Sequence, residues 1–278
     1  MTASVEIVSI VTPLGVRFRD EATRSFVSDA LTTSVHPVGC RETRRYGVTN
    51  GGDVYVFSNL PGLREIEFGE GDDAFWTLHN REFPFELAVR DERGRFLPYS
   101  LRTRVPQRSL VNLVLSSPLA SPLELTTGDT DGCLPLFSAP GRTVPDGMGA
   151  FRAELVELGG GPAAWALVEA KAGNQRLMTG VADQLGRVLV PLLYPKPVVT
   201  LGSPGTVNPP LTQQKWRVDV TIRYRRRDPV PDVPDLAEIL MQPIAEVYLD
   251  PSPLTAWTGD TLTFGRELAI PKLLINPL

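Results

Sequence analysis

Chemistry-bearing side chains are scarce in this chain, which has two histidines and two cysteines in 278 residues. His36 and His79 are the only imidazoles and lie far apart. They read as structural or surface imidazoles, not as general bases or ligands. No H-E-x-x-H, G-x-S-x-G or Walker phosphate loop occurs, which removes the metalloprotease, α/β-hydrolase and nucleotide-hydrolase readings, and no metal or cofactor is expected. Cys40 and Cys133 are expected as free thiols, as in a reducing compartment. No run approaches the ~18 uninterrupted apolar residues that a bilayer span needs, and Met-Thr-Ala-Ser-Val-Glu at the start has neither a basic region nor an apolar stretch. The expectation is a soluble, cytoplasmic chain. Positive charge is not in excess either: with a net charge of −4 and a pI of about 5.4, a phosphate backbone meets no general attraction, and nucleic acid is not an expected partner.

What the chain does have is punctuation. Its 26 prolines and 24 glycines are spread between hydrophobic runs, the spacing of turns and not of a disordered tract. A phrase also repeats. Val89-Arg-Asp91-Glu-Arg-Gly94-Arg95-Phe-Leu97 returns one domain length later as Val181-Ala-Asp183-Gln-Leu-Gly186-Arg187-Val-Leu189. Each copy reads as a hairpin in which Asp organises its own turn and Gly takes φ > 0, with Asp91, Gly94, Asp183 and Gly186 as the structural turn residues.

The runs between turns alternate with period two. Phe83, Phe85, Leu87 and Val89 share one face, as do Trp216, Val218, Val220, Ile222 and Tyr224, each implying a sheet with one buried and one wet side. The reading is an all-β protein of two tandem β-sandwich modules: 1–106 as the first sandwich, 107–147 as a Pro/Gly-rich connector, 148–228 as the second sandwich, and 229–278 as an extension completing the second. Within that extension Leu236 to Met241 is the best helical candidate, and Thr261 to Leu268 is a strand expected to pair beside Trp216 to Tyr224.

The remaining motifs divide between plain and functional readings. Thr127-Gly-Asp129-Thr-Asp131-Gly132 lacks the oxygens of a calcium loop and reads as a polar turn. The clusters Arg41–Arg45 and Arg223–Arg227 are either solvated strand ends or docking surfaces for an acidic partner, since guanidinium forks fix carboxylates bidentately. Arg225, Arg226 and Arg227 are the candidate partner-binding residues of the second cluster. Trp165 and Trp216 lie in apolar alternation and read as core, whereas Trp76 and Trp257 sit beside polar turns and are candidate exposed anchors for another chain.

Phe57-Ser-Asn-Leu-Pro-Gly-Leu63, Val89-Arg-Asp91 with Arg95-Phe-Leu-Pro98, Pro162-Ala-Ala-Trp165, Gly180-Val-Ala-Asp183 with Gly186-Arg187, and Thr263-Phe-Gly-Arg-Glu-Leu268 together resemble carboxypeptidase-regulatory-like proteins encoded with phage-tail-like extracellular contractile injection systems. The resemblance implies immunoglobulin-like or prealbumin-like sandwiches without peptidase chemistry. It also implies a non-enzymatic structural component of such a particle, with sheath, tube, cap or baseplate proteins as partners, and a six-fold ring or a multiple of six copies. It favours the cap or collar end, in a particle assembled inside the cell that may later be released. The alternatives are a baseplate or fibre-associated part, or a carbohydrate- or surface-binding module.

Overall fold

The computed structural model describes residues 9–10, 14–60, 66–67, 82–106, 133–197, 210–251 and 253–277. The first part of the chain supplies strands β1 (Ser9–Ile10), β2 (Leu14–Asp20), β3 (Leu31–Pro37), β4 (Arg45–Tyr46), β5 (Val48–Thr49), β6 (Tyr55–Phe57), β7 (Ile66–Glu67), β8 (Glu82–Asp91), β9 (Tyr99–Pro106) and β10 (Cys133–Leu136). The second part supplies β11 (Met148–Glu157), β12 (Leu167–Ala172), β13 (Met178–Val181), β14 (Arg187–Leu193), β15 (Lys215–Arg223), β16 (Glu246–Pro251), β17 (Leu254–Ala256), β18 (Gly259–Thr263) and β19 (Leu268–Asn276), with one short helix, α1 (Leu236–Leu240). Two sandwiches result, so the chain has the all-β, two-module architecture that its alternation implied.

In the first sandwich, the sheet β10-β2-β6-β5 faces the sheet β4-β3-β8-β9. Alternate residues of β8 point inward, and Phe85, Leu87 and Val89 are buried against Phe18, Val35, Phe57 and Leu101. Burying one such side chain is worth roughly 1.5–3 kcal/mol. In the second sandwich, β14-β11-β19-β16-β17 faces β13-β12-β15-β18. Strand β15 follows its pattern closely, with Val218, Val220 and Ile222 buried while Lys215, Arg217 and Asp219 are exposed. Trp216, at the end of the same face, is only half-buried.

Three placements differ from the sequence reading. First, the stretch read as connector is not all connector. Strand β10 runs parallel to β2, Cys133 opposite Arg17 through Leu136 opposite Asp20, and places Leu134 and Leu136 in the first core. Pro135 fits there because β10 is an outermost strand, where a missing N–H costs no ladder bond. The polar turn at 127–132 lies outside the described residues.

Second, the repeated phrase does not make two hairpins. The strands β8 and β9 flanking the first copy pair with each other, Val89 opposite Tyr99. In the second copy the incoming strand β13 pairs with β12, whereas the outgoing β14 pairs with β11 in the opposite sheet. The turn is conserved in form while the chain leaves it in a different direction.

Third, the segment after residue 228 serves both modules. Its strand β18 does lie beside β15, Leu262 opposite Trp216. A turn through Gly265 then divides the expected strand, and β19 continues in the opposite sheet, parallel to β11. Helix α1, capped by the Asp235 carboxylate on the Ala237 N–H at 2.8 Å, instead inserts Leu236, Ile239 and Leu240 into the first core.

Candidate functional site

The two Asp-x-x-Gly-Arg turns are built alike. In the first, the Gly94 N–H donates to the Asp91 carbonyl, and the Arg95 guanidinium reaches the Asp91 carboxylate at 3.0 Å. In the second, the Gly186 N–H donates to the Asp183 carbonyl, and Arg187 donates to Asp183 from its backbone N–H and its Nε, both at 2.9 Å. Both glycines have positive φ, 65° and 76°. Burial works to raise the Asp91 carboxyl, but the hydrogen bonds from Arg95 outweigh it and hold the group below the usual carboxylate range. Arg95 also spans to Asp29 at 3.0 Å, tying the turn to the entry of β3.

Several hydrogen bonds cross the joint between the sandwiches. The proline-rich strap after Arg227 lies across both modules. The Trp165 indole donates to the Pro231 carbonyl at 2.9 Å, Gln184 donates to the Asp232 carbonyl at 3.1 Å, and the Ser100 N–H donates to the Pro234 carbonyl at 2.8 Å. Buried Gln242 acts as the clasp, donating to the carbonyls of Trp165 and Ile239 and accepting from the Arg225 N–H and the Arg227 guanidinium. On another side of the joint, Arg142 grips buried Asp20 through two hydrogen bonds at 2.9 and 2.6 Å, and its carbonyl accepts from Arg152 of β11. Burial pushes the Asp20 carboxyl up, and the Arg142 pair with the Ala22 and Thr23 bonds brings it below its ordinary value.

These contacts place the residues singled out in the sequence. Arg227 is not on a docking surface: its side chain is 10% exposed and is held by Ala164, Gln242 and Glu238. Arg226 is exposed but paired with Glu157 at 3.3 Å, while Arg225 is exposed. Arg223 is paired with buried Glu169. A basic run thus becomes part of the joint because Glu157 and Glu169, buried in the second sandwich, the Ala164 carbonyl and the Gln242 amide lie within its reach. Trp257 is likewise no exposed anchor. It is buried, with its ring stacked on Phe151 at 6.0 Å, because the chain returns there from β17 to the core. Trp76 and His79 lie outside the described residues. Trp165 is core, as its alternation implied, although its backbone is left-handed at φ 62°. His36 is a buried strand residue whose Nδ1 lies 3.1 Å from the Glu86 carbonyl oxygen.

Among the described residues, no group of three or more His, Cys, Asp or Glu side chains is placed to hold a metal ion, and no helix is long and apolar enough to cross a membrane. Two surface features went unremarked in the sequence. An open cleft of about 320 Å³ runs between β15 and β16, lined by Val220, Ile222, Ala245, Val247, Tyr248 and Trp257. A half-buried aromatic trio, Tyr194, Trp216 and Phe264, packs at one end of the second sandwich with ring centroids 4.7–6.4 Å apart. Alternation points to Trp216 alone, since its partners follow the ends of β14 and β18, remote in sequence.

No protein-family model matches the chain, and no curated protein matches it. Among solved structures it is similar to BcpA, the major pilin subunit of Bacillus cereus, at 8% identity and a TM-score of 0.24, over 98% of this chain and 60% of that one. It is also similar to a streptococcal ancillary pilin at 9% identity and a TM-score of 0.24, over 96% of this chain and 69% of the other. The shaft pilin SpaA of Lactobacillus rhamnosus GG matches at 7% identity and a TM-score of 0.23, over 97% and 98%. The chain thus spans about 60% of the length of BcpA. Overlaps at these scores lie well below a shared fold.

Proposed function

We propose that the chain is a non-enzymatic assembly subunit of a phage-tail-like contractile injection particle, present as a six-fold ring or a multiple of six copies, with the cap or collar end preferred over the baseplate. The family role comes from the resemblance of five ordered phrases. The observation that supports a building block is the joint. The strap, Gln242 and helix α1 tie the two sandwiches together, and at the joint Arg142 is engaged by Asp20 and Arg227 by Ala164 and Gln242. A part that transmits or withstands force needs such a rigid link, whereas a catalytic site needs polar groups left free for substrate.

The test is co-purification. Particles sedimented from cells that make this chain are analysed by mass spectrometry, and the chain is expected at a fixed ratio to sheath and tube proteins. Particles that lack it, with the chain recovered only as free protein, would refute the role. A second reading, a carbohydrate- or surface-binding module, is favoured by the half-buried aromatic trio Tyr194, Trp216 and Phe264. Micromolar glycan binding that is lost on Trp216→Ala would put that reading first.

A further inference from the structure

The first basic cluster, Arg41–Arg45, has a different fate from Arg223–Arg227. After the short 3-10 turn Arg41–Thr43, the chain runs through β4, crosses at Gly47 and continues as β5. Strand β4 is the outermost strand of one sheet of the first sandwich and β5 the outermost strand of the other. The crossing is close: a Cβ at Gly47 would meet Thr33 Oγ1 at 2.4 Å and the Phe57 ring at 2.9 Å, so only glycine allows one ribbon to close both sheets. The ribbon therefore offers a backbone edge with no strand beside it among the described residues.

Its side chains are unusual for an edge. Arg41, Arg44 and Arg45 are exposed, and none has a carboxylate partner among the described residues, although the fold pairs Arg95, Arg142, Arg187 and Arg223 with acids. Natural edges are often blunted by charge to prevent pairing. Such an edge has no use for apolar side chains, yet Tyr46 at 63% and Val48 at 71% are the most exposed large apolar or aromatic side chains among the described residues. Three arginines against one acid, Glu42, with two bare apolar residues between free backbone groups, fit a strand-adding partner and not a blocked edge.

We propose that the ribbon Arg41–Thr49 is a docking edge for an acidic, extended segment of another protein subunit. That segment adds as a strand along β4 and β5, sets carboxylates against Arg41, Arg44 and Arg45, and covers Tyr46 and Val48. Carboxylates fit better than phosphates because the chain's net charge of −4 repels a polyanion as a whole, whereas a short acidic strand needs only local charge. Naming the partner as a particle subunit rests on the assembly reading above; the docking edge itself does not.

The probe is a fluorophore-labelled peptide of alternating Glu and Val with blocked ends, titrated with the full chain and read by fluorescence anisotropy. Saturable binding is expected, weakening as salt rises. It should fall by about tenfold or more in the triple variant R41E/R44E/R45E, from three exposed charge pairs. The neutral triple R41Q/R44Q/R45Q replaces it if the reversed variant melts early. Serine at both Tyr46 and Val48 should weaken binding while leaving its salt dependence. Undiminished binding to the arginine variants overturns the assignment, as does equally tight binding of a peptide with the same residues in two blocks, or of single-stranded DNA of equal charge. Absence of the chain from purified particles would refute the assembly reading and leave the peptide result standing.

Discussion

Gly94 and Gly186 occupy the same place in the repeated phrase, but alanine at the two positions is expected to cost different amounts. Both glycines are left-handed, and a Cβ in that conformation costs on the order of 1–2 kcal/mol. At Gly94 nothing else opposes the substitution, since an added Cβ would meet open space. At Gly186 the added carbon would lie 2.2 Å from the Leu155 carbonyl oxygen and 3.3 Å from the Ala163 nitrogen. Both neighbours are backbone, and the Gly186 carbonyl is itself bonded to the Leu155 N–H at 2.8 Å, so neither side yields without breaking the ladder where β11 bulges. Forcing atoms into a filled site adds roughly 1–3 kcal/mol. Gly94→Ala is therefore expected to cost about 1–2 kcal/mol, and Gly186→Ala about 2–5 kcal/mol. At about 2–4 °C of melting temperature per kcal/mol for a chain of this size class, the two separate clearly in a thermal melt. Urea midpoints followed by near-ultraviolet circular dichroism supply the free energies. Asparagine, which tolerates the left-handed region, should recover part of the loss at position 94 and none at 186. Equal destabilisation by the two alanines would show that the close pass over β11 is not real, and with it the change of sheet after the second turn.

Other outcomes follow from the joint. Arg227→Glu should destabilise by roughly 3 kcal/mol or more, because it sets a buried acid among the acceptors of Ala164 and Gln242, whereas Arg225→Glu should stay within about 0.5 kcal/mol of wild type; urea melts of the two compare them directly. Truncation after Arg227 removes α1 together with β16 to β19, so it should broaden or abolish the melting of both modules, and an intact cooperative first sandwich in the truncated chain would contradict the placement of Leu236 and Ile239. Asp20 and Asp91 both have folded pKa values below their ordinary 3.8, so the stability they contribute is present above that value and is lost as the pH falls through their lower folded values. Below about pH 4 the urea midpoint of the wild type should fall more steeply than that of Asp20→Asn. Trp257→Ala should cost about 3–5 kcal/mol by opening a cavity against Phe151, measured by the same melts.

The parts of the molecule legible in its sequence are those decided by neighbours in the chain. Period-two alternation located β8 and β15 because the two faces of one strand meet different surroundings, and the Asp-x-x-Gly-Arg spacing located two turns because a carboxylate, a left-handed glycine and a guanidinium close on one another within five residues. Direction after a turn is decided elsewhere. Arg187 to Leu193 leaves for the opposite sheet because β11 lies there to receive it, and nothing in the phrase itself distinguishes that path from the return of Tyr99 to β8. The arginine clusters show the same division. Both read alike as runs of positive charge, yet Glu157, Glu169 and Gln242 draw one run into the fold, while no described acid reaches Arg41, Arg44 and Arg45. Whether a charge is structural or available depends on partners remote in sequence. Of two clusters alike in sequence, the fold thus uses Arg223–Arg227 and leaves Arg41–Arg45 bare, on an edge that is open among the described residues.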